Sequence, residues 1–188
     1  AERVDKTRQY LHKLEIGAAK PTDQLLHQLA SALQVDAQFF SSNTRPIASE
    51  EQFHFRKLFS TRAGVKQAAM ARGELVARLV RYLDGELSLP PVRVPEVEPP
   101  RSHEEIERTA ELCRSKWELG FGPIANMSRL AENVGAIVTS FHSMSKEVDA
   151  LSIALQRPII VRSDAKASIA RQRFDIGHEL GHVVMHKG

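Results

Sequence analysis

Cysteine occurs once in 188 residues, tryptophan once and tyrosine twice. The lone Cys113 excludes an internal disulfide framework and agrees with a reducing compartment. No uncharged run comes near the ~20 apolar residues of a spanning helix, and the first residues carry no basic-then-apolar signal pattern. A cytoplasmic location is therefore expected, and a membrane partner is not. Charge of one sign is scarce as well: 26 Lys and Arg against 23 Asp and Glu leave a net +3. What is present is globular material, 42% hydrophobic and 26% charged. That excludes a disordered tail or a collagen-like rod for the whole and leaves room for one large domain or two small ones.

The proline-rich stretch Pro90 to Pro100 divides a basic half from a near-neutral one. Residues 1–94 hold fourteen Lys or Arg and ten Asp or Glu, a net +4, whereas residues 95–188 hold twelve and thirteen, a net −1. Between Arg45 and Arg81, eight basic residues face only Glu50, Glu51 and Glu74. Such an excess fits a polyanion partner and fits solvated helix faces equally well.

Hydrophobic spacing predicts an α+β protein without internal repeats. Glu2 to Phe40 reads as helical, with Gly17 suited to a left-handed C-terminal cap and Pro21 to the entry of the next helix. Phe53 to Leu87 contains a long helix on which Leu75, Val76, Leu79, Val80 and Leu83 share a face. The prolines at 90, 91, 95, 99 and 100 make an extended linker. Ser102 followed by Glu105 has capping-box spacing and opens a helix to about Trp117, which Gly120 and Gly122 end. A short helix from Met127 to Val134 leads through Gly135 into a strand, Ala136 to Phe141. Two more strands, Ala150 to Leu155 and Pro158 to Val161, join at Gln156 and Arg157, and a final helix runs from about Lys166 to His186. Residues 1–40, 41–89, 90–100 and 101–188 thus read as a helical domain, a helical connector, a linker and a second domain with a small sheet.

The last helix carries His178-Glu179-Leu180-Gly181-His182, an H-E-x-x-H motif. Imidazoles four residues apart on a helix point the same way and can share one Zn²⁺, and the intervening glutamate can take a proton from water on that metal. His178 and His182 are therefore candidate ligands and Glu179 the candidate general base; ordinary core or surface histidines are the alternative. A catalytic zinc takes a third protein ligand as well. His186 continues the spacing but lies about 12 Å along the helix from His178, too far to share one metal, so a packing or hydrogen-bonding role is expected of it. His142, Asp149 and Asp164 are possible donors from the sheet side, although each taken alone reads more readily as a turn or strand-edge residue. Asp175 is either a partner orienting an imidazole or a surface charge.

The run Arg171-Gln172-Arg173-Phe174-Asp175-Ile176-Gly177-His178-Glu179-Leu180-Gly181-His182, with Val148-Asp149-Ala150 upstream and Val183 to His186 after it, resembles the ImmA/IrrE family of zincin-like metallopeptidases. Gly122-Pro123-Ile124 to Gly135-Ala136-Ile137-Val138 is similar to that family's entry helix and first strand. The resemblance implies a zincin-like domain with zinc on His178 and His182, Glu179 as base, and a third, acidic ligand on a following helix that has no counterpart here.

The front of the chain, from Thr7-Arg8-Gln9-Tyr10-Leu11 through Gly17 and Pro21 to Phe39-Phe40, is similar to the rear portion of an XRE-type helix-turn-helix domain. That resemblance implies Thr7 as N-cap of a recognition helix, with Arg8, Gln9, Tyr10 and Lys13 facing double-stranded DNA. Fusion of the two through Phe53-His54-Phe55-Arg56 and a proline-rich joint resembles a recurring bacterial and phage-borne architecture. It implies a DNA-associated zinc endopeptidase that cuts a repressor-like protein in transcriptional or stress regulation, with a homodimer as one possible assembly. A DNA-binding regulator whose peptidase-like domain senses a metal or ligand is the alternative, and a degenerate interaction module a weaker one. Because the chain opens on Ala1 inside the first motif and stops at Gly188 before a zinc site closes, a fragment of a longer protein is expected.

Overall fold

The computed structural model describes residues 1–41, 45–55, 63–141, 150–163 (backbone only at 163) and 168–186. The chain forms two units, Ala1–Arg45 and Pro46–Gly188. Among the described residues no helix is long and apolar enough to cross a membrane.

In the first unit, helix α1 (Arg8–Glu15) begins where the Thr7 hydroxyl accepts from the backbone N–H of Tyr10 at 3.2 Å. The turn after it needs a left-handed residue, and Gly17 supplies it at φ 73°. Thr22 caps α2 (Asp23–Leu33) through the N–H of Leu25 at 3.3 Å. Short 3₁₀ turns at Glu2–Val4 and Ala37–Phe40 flank the pair. Val4, Leu25 and Ala30 are buried.

The second unit is a four-stranded sheet between helices. Strands β1 (Phe53–Phe55), β2 (Ile137–Phe141), β3 (Ala150–Ile153) and β4 (Ile159–Ser163) lie in the order β1-β3-β4-β2, with β1 and β4 antiparallel to β3 and β2 parallel to β4. Side chains alternate across a strand, so each strand feeds both faces. Phe53, Leu151, Ile153, Ile159 and Val161 pack beneath α3 (Ala63–Glu86). Ile160 faces the other way, onto α5 (Met127–Asn133) and α6 (Ile169–Met185). Helix α4 (His103–Lys116) is capped by Ser102, which accepts from the Glu105 N–H at 3.3 Å, while the Glu105 carboxylate takes the N–H of Arg101 rather than that of Ser102. The observed architecture is α+β, a mixture of helices around one small sheet.

Three features depart from the sequence-based expectation. First, Phe53–Phe55 is the edge strand of the sheet, so the stretch read as a connector supplies part of the second unit's core. Second, α3 faces the sheet with Ala69, Gly73, Ala77 and Val80, while Leu75 and Leu79 of the expected apolar face stay exposed. Close approach decides this: a Cβ on Gly73 would come within 2.7 Å of the Phe53 ring and 3.1 Å of Ile153 Cδ1, so a leucine stripe could not lie there. Third, the proline-rich stretch is laid along the second unit. The Arg93 N–H donates to the Val134 carbonyl at 2.8 Å, and Trp117 Nε1 donates to the Arg93 carbonyl at 2.8 Å. Gly135, at φ 94°, lets the strap pass where a Cβ would sit 2.6 Å from the Pro91 oxygen. Arg157 clamps the same region, donating to the carbonyls of Pro90 and Gly135 at 2.8 Å each and pairing with Asp84 of α3.

Candidate metal centre

Helix α6 turns Ile176, Leu180, Val183 and Val184 into the core, and this fixes where the polar positions between them go. His178 and His182 rise from successive turns, and their Nε2 atoms stand 3.1 Å apart. Two nitrogens bound to one tetrahedral zinc at the usual bond length lie about 3.3 Å from each other, so the pair fits a shared cation without moving either turn. Phe174, one turn earlier, stacks on His178 with ring centroids 6.2 Å apart.

Glu179 lies fully buried between the two histidines in sequence, on the face of α6 that meets the sheet. Ser152 of β3 points to the same face and donates its hydroxyl to Glu179 Oε2 at 2.7 Å. Asp175 is also buried, only 4% exposed, which removes the surface-charge alternative for it.

On the other side of His182, its Nδ1 meets Nδ1 of His186 at 3.0 Å, so His186 touches the ring edge opposite Nε2. Burial first, then the neighbouring His178, His186 and His54, push the pKa of His182 down to about 4. A ring that stays neutral keeps a lone pair for a metal at neutral pH. Among the described residues no third protein donor completes a metal-binding group with the pair. His142, Asp149 and Asp164 lie outside the described residues, as does Arg56.

Sequence reasoning missed His54. It is the middle residue of β1, whose register sets it opposite Ser152. Its ring lies parallel to that of His182, 1° between planes and 5.5 Å between centroids. Its pKa is lowered, chiefly by burial and then by the charge of a protonated His186, with the His186 backbone acting weakly the other way. The apolar, polar, apolar order of Phe53, His54 and Phe55 has the period of a strand with one face in the core, but over three residues only.

The candidate DNA contacts belong to the first unit. Arg8, Gln9 and Lys13 are exposed on α1, while Tyr10 is half-buried behind its capped N–H.

A helix presenting two imidazoles at chelating separation, with a buried glutamate between them in sequence and a small sheet behind, has the arrangement of a metallopeptidase-like domain. The family model for the IrrE N-terminal-like domain, Peptidase_M78, matches residues 131–188, from the end of α5 through α6. This match supports the ImmA/IrrE family, a zinc-type peptidase family, over just under a third of the chain. No curated protein and no solved structure matches the chain significantly.

Proposed function

We propose that this chain serves a DNA-associated, zinc-dependent endopeptidase whose substrate is a repressor-like protein. The observation that carries the reading is the 3.1 Å separation of the His178 and His182 Nε2 atoms, with Glu179 between them in sequence, inside the segment matched by the peptidase family. His178 and His182 would hold the zinc, which when bound polarises a carbonyl and brings the pKa of a water to about 7. Glu179 takes the proton of the attacking water and delivers it to the amine nitrogen of the departing peptide. Ser152 fixes the rotation of that carboxylate through Oε2. The exposed Arg8, Gln9 and Lys13 on a Thr7-capped helix support the DNA-associated part, as groove-facing residues of an XRE-type reader helix in a zincin-like fusion.

The test is cleavage of a repressor encoded beside this protein. Glu179→Gln is expected to keep its zinc and lose about 10²- to 10⁴-fold in rate. Retained cleavage with zinc bound removes the general-base role.

One observation favours a second reading. Glu179 is wholly buried and engaged by Ser152, as suits a domain that senses a metal and cuts nothing. Under that reading operator affinity changes with zinc and the neighbouring repressor stays intact. In either case Arg8→Ala with Gln9→Ala is expected to abolish operator binding, read by a salt-controlled shift assay; unchanged binding moves the reader elsewhere.

A further inference from the structure

We propose that His54, at the centre of edge strand β1, is a positioning residue for the metal centre, holding the His182 ring in the plane from which it shares a cation with His178. The inference rests on the zinc reading above and adds to it a residue that lies outside the segment matched by the peptidase family.

The sheet register brings His54 there. In β1, Phe53 belongs to the core beneath α3 with Phe55 packed against it, so the residue between them must face α6. Its partner across the ladder is Ser152, whose hydroxyl already holds Glu179, and its ring lies flat against His182 with 1° between the planes. The ring also meets the His186 ring, with centroids 6.1 Å apart and 40° between the planes. His182 is thereby restrained twice, by His186 at the ring edge and by His54 on the ring face, while Nε2 stays turned toward His178.

Packing alone gives no reason for an imidazole here. The Nε2 of His54 is buried without a partner among the described residues, a cost to folding that phenylalanine would not carry. The parallel ring face against His182 and the second ring contact with His186 are what the histidine contributes. Partners that orient a ligating imidazole are the groups whose loss weakens metal binding without removing a ligand.

The experiment uses zinc competition titration and the visible spectrum of the Co²⁺-loaded protein, with the melting of the metal-free form as a folding control. His54→Val keeps an apolar, strand-favouring residue in β1 but no ring. It is expected to bind zinc about tenfold to hundredfold more weakly and to shift the Co²⁺ absorption bands, with metal-free melting preserved. His54→Phe restores a flat ring and is expected to recover most of the affinity. Parent-like affinity and an unshifted spectrum in His54→Val overturn the proposal, and so does a His54→Phe variant no better than His54→Val. If the parent itself takes up no zinc, the metal reading fails and this inference with it. Zinc lost in His178→Ala with parent-like zinc affinity in His54→Val sinks the inference alone.

Discussion

A carboxylate with no solvent exposure is expensive to bury unless its oxygens are held, and the 2.7 Å bond from Ser152 meets that demand at Oε2 of Glu179. Ser152 is itself fully buried in β3, so removing its hydroxyl leaves no water to replace it. Ser152→Ala is expected to destabilise the fold by about 1–3 kcal/mol in urea unfolding, the cost of a buried acceptor that loses its donor. Unchanged stability would show that another group holds the carboxylate. Cys113 gives a second residue-scale outcome. Burial raises its thiol pKa, with Lys116 pulling weakly the other way, so at pH 8 less thiolate is present than in an unfolded chain. Alkylation by iodoacetamide at that pH is therefore expected to be slower in the native protein than in urea, and equal rates would contradict the burial.

At the scale of elements, α3 shows how a small residue sets a packing distance. Gly73 lies against Phe53 and Ile153, whereas a Cβ on Gly85 of the same helix meets nothing. Gly73→Ala is thus expected to lose about 1–3 kcal/mol to overpacking despite the better helix former. Gly85→Ala is expected to gain up to about 1 kcal/mol. Equal effects at the two sites would deny the close approach. Much of this layer was legible beforehand. Ser102 announces its helix by capping spacing, the turn between β3 and β4 is where Gln156 and Arg157 place it, and the motif helix is evident from its apolar period. Strand β1 was not legible, because three residues are too few for a period to stand out and because its partner strand begins about a hundred positions later. The buried face of α3 was misjudged for a related reason. Leucine spacing marks an amphipathic helix, but closeness to a sheet selects Ala and Gly, which carry little hydrophobic signal.

For the whole molecule, the boundary at residues 45 and 46 regroups what composition had divided at the prolines. The charge argument moves with it: residues 1–45 hold six Lys or Arg against five Asp or Glu, and the basic excess up to Arg81 belongs to the second unit. The sheet face formed by Leu151, Ile153, Ile159 and Val161 is covered by α3, so residues 101–188 alone would expose it. A polypeptide of residues 46–188 is expected to melt cooperatively, and one of residues 101–188 to aggregate or bind a hydrophobic dye. A well-folded 101–188 would show that β1 and α3 are dispensable. The central claim is that His178 and His182 together hold one metal ion. Zinc content per chain after dialysis, measured by mass spectrometry of the metal, tests it most directly. One equivalent in the parent and none in either His178→Ala or His182→Ala is the expected result. No zinc in the parent, or a full equivalent in either variant, would contradict it.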